Sequence, residues 1–221
     1  MVPARSARVA RNRRRGILRS GAGPRRGDPR RAVPVIRLLA ACLIGLAGAA
    51  QAEGDALPFA LGGDFSLTDQ SGMARTQADP EGQPQLLFFG YANCQEICSA
   101  TLPLMADVAD ILAGRDLDLR LVMITVDPTR DTVADIGPPL ARIHPGFIGL
   151  TGTEADLQIA YDAFGVDREE LFVDPEYGPV FAHGSMLYLL DGSGAVQTLL
   201  PPILPAEQIA RIVQGYIGPA G

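Results

Sequence analysis

The 221-residue sequence contains no lysine and no tryptophan, and it has only three cysteines and two histidines. Three cysteines are too few for a disulfide-stapled scaffold, and a hydrophobic content of 47% excludes an intrinsically disordered chain. All 19 basic residues are arginines, and 12 of them lie between Arg5 and Arg37. From Glu53 onward, 24 acidic residues face seven arginines, a net charge of −17. This split indicates a basic targeting segment and a separate acidic domain, for which we expect no nucleic-acid partner.

The basic segment leads into an apolar run of 13 residues, 38–50, followed by the cleavage-type triplet Ala50-Gln51-Ala52. Spanning a bilayer takes about 20 apolar residues, so the run favours a cleaved signal peptide. In a first alternative, residues 33–52 stay as a membrane anchor with Arg37 at the interface. In a second, Cys42 is lipidated within a Leu-Ala-Ala-Cys box. Each interpretation exports residues 53–221 to an oxidising compartment, which we expect to be the periplasm.

Residues 1–31 are longer and more basic than a signal peptide needs. An RNA-binding arm is one interpretation. We favour a simpler one, in which the assigned start lies too far upstream and translation begins near Val33 or Val35.

Residues 53–221 show alternating strand and helix patterns that suit one domain. An N-terminal β-hairpin or extended cover is predicted over 57–83. Buried strands are predicted near 86–89, 119–126, 147–150, 185–190 and 195–200, and helices near 131–144, 154–164 and 205–217. The first helix is predicted between the first two of these strands, with one apolar face formed by Leu102, Met105, Val108, Ile111 and Leu112. Asp131 and Thr132 are suited to cap the second helix, and the turn at 191–194 makes the last two strands a hairpin. The order is that of an α/β, thioredoxin-like fold, with a central mixed β-sheet flanked by helices and an N-terminal β-hairpin extension.

Cys94 and Cys98 fall where the first buried strand gives way to the first helix, the edge at which open α/β sheets place their chemistry. On a helix, this spacing puts the two Cα atoms about 6 Å apart on one face, which suits either a disulfide or a shared soft metal ion. Helix N-termini also favour the reactive thiolate form. A plain structural disulfide is the simpler alternative in an exported protein, although closing so small a loop gains little stability.

The two histidines are the candidates for a third ligand. His183 precedes the predicted hairpin, in a loop that faces the cysteine-bearing junction of a thioredoxin-like domain; a solvated loop histidine is the alternative. His144 precedes Pro145 at a helix end, where we expect a capping or solvated role. Two thiolates and one imidazole suit Cu(I) and can hold Cu(II), whereas Zn(II) usually takes a fourth ligand.

Four segments resemble, in order and spacing, the Sco/SenC family: LFFGYANCQEIC at 87–98, TVDPTRDT at 125–132, FIGLTG at 147–152 and HGSMLYL at 183–189. The resemblance implies a thioredoxin-like fold, export with membrane attachment common, and copper delivery to the binuclear copper centre of cytochrome c oxidase. It places the copper ligands at Cys94, Cys98 and His183. It also places Asp127 close to the copper site or its docking surface, with turn and helix-cap chemistry as the alternative.

Three positions depart from the family pattern. Gln95 and Ser99 stand where the family usually has proline after each cysteine, and Ala182 stands where it usually has aspartate before the histidine. The missing prolines free backbone N–H groups and loosen the loop, and the missing aspartate removes a polar neighbour of the site. The three residues at the ligand positions, Cys94, Cys98 and His183, match the family pattern.

The leading hypothesis is a metallochaperone, not an enzyme, that hands copper by ligand exchange to the copper-bearing subunit of cytochrome c oxidase. Other periplasmic copper carriers or thiol reductases are further candidate partners. The alternative is a thiol-disulfide oxidoreductase that uses Cys94 and Cys98 as a redox-active disulfide and keeps the acceptor cysteines reduced. His183 separates the two hypotheses, because only the copper role needs its imidazole.

Overall fold

The computed structural model describes residues 60–92 and 98–218, and for Cys98 and Ser99 it describes the backbone alone. The predictions for the basic segment, the signal or anchor, Cys42 and Cys94 lie outside these residues, and the domain boundary at 53 stays a prediction. In the described part, no helix has the length and apolar character needed to cross a membrane.

The described residues form a mixed α/β domain, and the predicted thioredoxin-like fold class is confirmed. Seven strands make one sheet in the order β2-β1-β5-β4-β3-β8-β9, while β6 and β7 pair with each other in a separate ribbon. Three neighbouring strands, β3, β4 and β5, run parallel, and the other pairs are antiparallel. The elements are β1 Leu67–Asp69, β2 Ala74–Arg75, β3 Gln85–Gly90, α1 Cys98–Ala113, β4 Arg120–Thr125, α2 Gly137–Ile143, β5 Phe147–Thr151, α3 Glu154–Phe164, β6 Glu169–Asp174, β7 Gly178–Ala182, β8 Leu187–Leu190, β9 Val196–Leu200 and α4 Ala206–Ile217.

The central strands of the sheet are buried on both faces, which is why their sequences are continuous apolar runs. All six residues of β3 are buried, as are five of the six in β4, so each strand has both faces covered. Parallel pairing of β3 with β4 matches Gly90 with Thr125 at their ends. The chain segments that follow these two strands therefore leave the sheet side by side.

The N-terminal hairpin is confirmed as β1 and β2, with β1 also pairing antiparallel to β5. Its turn is organised by the buried carboxylate of Asp69, which accepts hydrogen bonds from the backbone of Ser71 and Met73 and pairs with Arg75 at 3.0 Å. Burial alone would raise the pKa of Asp69, but hydrogen bonds from Ser71, Arg75 and Met73 lower it to about 2.

One local expectation was wrong, and one element was missed. The second helix does not start at Asp131; α2 begins at Gly137, with prolines in its first turn. In α2 both prolines fall in the first turn, where no intrahelical N–H bond is lost, whereas a helix that started at Asp131 would carry Pro138 and Pro139 in its interior, where each removes a backbone hydrogen bond. The ribbon of β6 and β7 was not foreseen at all.

Candidate metal centre

The predicted site lies where β3 ends. After Gly90 the chain continues through Tyr91 and Ala92, and α1 runs from Cys98. Cys98 is therefore the first residue of a helix at the carboxyl edge of the sheet, in keeping with the strand-to-helix junction that the sequence predicts. Cys94 lies outside the described residues, and Cys98 is described by its backbone alone.

His183 follows β7 directly and lies against the end of β3. Its half-buried imidazole meets Phe88 and Tyr91 edge-on, with ring centroids 5.7 and 6.2 Å away. The structure thus brings His183 beside the segment that leads to Cys94, as expected for the loop that faces the cysteine junction.

One hydrogen bond defines which nitrogen of His183 suits a metal. Nδ1 lies 2.9 Å from the carbonyl oxygen of Gly184. A carbonyl oxygen only accepts, so Nδ1 carries the proton, and in the neutral ring the lone pair belongs to Nε2. A backbone carbonyl on the far nitrogen is the usual way in which a metal-binding imidazole is oriented.

Asp127 lies two residues after β4 as a buried carboxylate, and its side chain forms an ion pair with Arg130. Its own N–H donates to the hydroxyl of Thr125, while its carbonyl accepts from the N–H of Asp131. Asp127 therefore makes the local hydrogen bonds of a turn, as the alternative interpretation expects. Asp127 is connected to the surroundings of His183 through Arg130 and Tyr91.

Arg130 was not singled out by sequence reasoning, yet it joins three parts of the site. Its guanidinium lies over the ring of Tyr91, 5.2 Å from the centroid, and pairs with Asp127. It also donates to the carbonyl oxygens of Tyr177 and of Pro179, the latter at 2.7 Å. Arg130 therefore fastens the β6–β7 ribbon to the loops after β3 and β4. The only sequence signal was its place in the same motif as Asp127.

Asp131 has a different role from the helix cap that was predicted. Its buried carboxylate accepts hydrogen bonds from the N–H of Ala92 at 2.9 Å and from the hydroxyl of Thr125 at 2.7 Å. Burial is the main influence on its pKa and raises it, while these two hydrogen bonds act in the opposite direction.

His144 lies elsewhere, at the C-terminal end of α2, in agreement with the predicted helix-end position. Its Nδ1 accepts from the N–H of Gly146 at 3.0 Å, and its Nε2 lies 3.5 Å from the carboxylate of Asp110. Within the described ranges, no three ligand-type side chains form a group that could hold a metal ion. The described part of the chain thus offers no competing metal site.

Comparison with known proteins agrees with this picture. The chain is 36% identical over 137 residues to an SCO2-like protein of Rickettsia conorii, covering 61% of this chain and 66% of the relative. It is 34% identical over 157 residues to the mitochondrial SCO2 homologue of Mus musculus, covering 70% of this chain and 62% of that protein. The chain therefore spans slightly less than two thirds of the length of these curated relatives.

Solved structures show the same fold. ScoI of Bradyrhizobium japonicum with copper bound is 28% identical, with a TM-score of 0.63 over 71% of this chain and 99% of that one. Yeast Sco1 with copper bound is 26% identical, with a TM-score of 0.66 over 74% and 91% of the two chains. The family model for SCO1/SenC matches residues 53–218. The chain belongs to the SCO1/SenC family.

Proposed function

We propose that this protein carries copper, held by the thiolates of Cys94 and Cys98 and by Nε2 of His183, and delivers it to the copper-bearing subunit of cytochrome c oxidase. The observation that carries the proposal is the position of His183. Its imidazole lies against Tyr91, three residues before Cys94, at the sheet edge where α1 begins with Cys98. The copper-bound relatives add support, because they share this fold.

The donor set fits copper as cargo. Two thiolates and one neutral imidazole are soft donors that suit Cu(I). The edges of Phe88 and Tyr91 restrict the imidazole ring, and the carbonyl of Gly184 holds the proton on Nδ1. His183 is only half-buried, so an acceptor's ligand can approach the same face of the domain. Copper then passes by ligand exchange, with no change in its oxidation state.

The two histidines allow a matched test. Reduced wild-type protein is loaded with Cu(I), and the bound copper is counted beside His183→Ala and His144→Ala. Wild type and His144→Ala are expected to bind one ion each in competition with a Cu(I) chelator, while His183→Ala binds more weakly. Reduced wild type that stays free of copper would refute the proposal.

Thiol-disulfide exchange is the second candidate function, favoured by the placement of Cys98 at the first position of α1. Under this hypothesis, the protein reduces the acceptor's cysteines before copper arrives. Oxidase assembly separates the two functions in cells. If Cys94→Ser abolishes assembly while His183→Ala leaves both assembly and copper affinity unchanged, the redox function is the correct one.

We also propose that the domain works in the periplasm, either released by cleavage after Ala52 or tethered through residues 33–52. The proposal is supported by the apolar run and by the charge reversal at Glu53. N-terminal sequencing of the protein recovered from periplasmic and membrane fractions tests it. A mature protein that begins near Glu53 indicates cleavage, and recovery from the cytoplasm alone would contradict export.

A further inference from the structure

We propose that Asp131 is a positioning residue for copper binding, which holds the backbone two residues before Cys94 in the place that the site requires. The inference rests on the proposed copper function and assigns a role to a side chain that belongs to none of the three ligands. Asp131 acts through Ala92 and makes no contact with copper.

The geometry is that of a tether between two strand ends. One carboxylate oxygen of Asp131 accepts both the N–H of Ala92, just after β3, and the hydroxyl of Thr125, the last residue of β4. Ala92 and Asp131 are 39 residues apart in sequence. The bond therefore fixes the chain segment that leads to Cys94 against a distant turn.

The other end of the tether is itself firmly held. The hydroxyl of Thr125 accepts from the N–H of Asp127, and the carbonyl of Thr125 accepts from the buried hydroxyl of Tyr161 at 2.7 Å. The N–H of Asp131 donates to the carbonyl of Asp127 at 2.9 Å. The Thr125 residue that donates to Asp131 is therefore itself fixed, and the backbone of Asp131 is held to Asp127.

Burial makes an ionised group at this position costly. Asp131 is 1% exposed, and burial raises the pKa of its carboxyl group. An apolar side chain would avoid that cost, but it would leave the N–H of Ala92 and the hydroxyl of Thr125 without this acceptor. Burying this carboxylate costs free energy of folding. We therefore infer that its contribution is to fix the position of the loop.

This chain depends on the tether because its cysteine segment contains no proline. Gln95 and Ser99 stand after the two cysteines, so no proline ring fixes φ at either position. Tyr91, whose ring meets His183, is the neighbour of Ala92. The same hydrogen bond therefore orders the approach to Cys94 and the wall beside the imidazole.

Three substitutions test the role. Asp131→Ala removes the acceptor, Asp131→Asn keeps a carbonyl oxygen in its place without the charge, and Asp131→Glu keeps the charge but moves the oxygens by one methylene. The matched control is Asp135→Ala, which removes a nearby exposed acid. Each protein is measured for Cu(I) affinity by chelator competition, for the thiolate absorption band of its Cu(II) form, and for stability in urea.

Asp131→Ala is expected to bind Cu(I) about tenfold more weakly with a changed absorption band, which is the size of effect that one hydrogen bond supplies. Asp131→Asn and Asp135→Ala should match wild type in both readouts, and Asp131→Glu should resemble Asp131→Ala. If Asp131→Ala does not fold, the Asn and Glu variants decide. Wild-type affinity and absorption in Asp131→Glu would overturn the positioning role, whereas a wild type without copper would overturn the proposed function instead.

Discussion

The guanidinium of Arg130 lies over the ring of Tyr91, and the edge of the same ring meets His183. Because Arg130 also donates to carbonyl groups of the β6–β7 ribbon, one cation links that ribbon to the aromatic ring beside His183. The surroundings of the imidazole are thus set by a side chain that is not itself a ligand.

Removing that cation should be costly for the fold. Arg130→Gln leaves the carboxylate of Asp127, which is 1% exposed, without its partner, and the expected loss is about 3 kcal/mol in the free energy of unfolding. Arg211→Gln is the control, because Arg211 forms an exposed pair with Glu207 at 3.7 Å that contributes less than about 0.5 kcal/mol. Urea denaturation measures both, and equal changes would contradict the importance of the buried pair.

The ring of Tyr91 should matter for copper affinity. Tyr91→Leu removes the aromatic edge that restrains His183, so we expect a several-fold weaker Cu(I) complex, as the loss of about 1 kcal/mol of aromatic contact implies. Tyr216→Leu, on the exposed side of α4, is the control and should leave the affinity unchanged. Chelator competition on reduced protein provides the measurement. An unchanged affinity in Tyr91→Leu would show that the ring does not position the ligand.

Asp69 should make stability depend on pH in the acidic range. Its pKa falls from 3.8 to about 2 in the folded protein, so the unfolded chain binds the proton first. The stabilisation is therefore complete above about pH 4 and is lost as the pH falls towards 2. Asp69→Asn should cost about 2 kcal/mol at pH 7 and progressively less at lower pH, as measured by urea unfolding at each pH. A difference in the free energy of unfolding between wild type and Asp69→Asn that stays constant down to pH 3 would contradict the ionisation of Asp69 as its cause.

Two glycines should respond in opposite ways to alanine. A Cβ at Gly149 in β5 would approach Ile136 and Leu140 to 2.7 Å, so Gly149→Ala should destabilise the core by about 1 to 3 kcal/mol. At Gly215 in α4 a Cβ would meet nothing within 4 Å, so Gly215→Ala should stabilise the helix by up to about 1 kcal/mol. Thermal unfolding compares the pair. Stabilisation by Gly149→Ala would mean that α2 can move away from the sheet.

The parts of the fold that were predictable from sequence are those in which burial imposes a pattern. The fully buried β3 reads as an apolar run, and α3 was expected over the same residues that it occupies, 154–164, because its apolar positions follow helical spacing. The β6–β7 ribbon left no such pattern, since Leu171, Phe172 and Val173 are all exposed. Its strands are specified by pairing across the turn at 175–177, which ends at Gly178 with a positive φ, rather than by contact with the core.

The candidate site, too, was predictable from sequence only in part. The place of His183 followed from the order of the elements, because the strand after it pairs with β3. The roles of Arg130 and Asp131 depend on contacts with Pro179 and Ala92, which lie 49 and 39 residues away in sequence. No local pattern encodes such pairs. Asp131 beside Thr132 resembles a helix cap in sequence for this reason, whereas the amide of Ala92 and the hydroxyl of Thr125 are its actual partners.

The separate β6–β7 ribbon has a kinetic consequence. Its strands pair with each other and not with the main sheet, and β6 buries little of its surface, so its amide hydrogens should exchange with solvent faster than those of β3. His183 is attached directly to the end of β7. A local opening of the ribbon would therefore move the imidazole while the sheet stays folded, at a free-energy cost well below that of global unfolding.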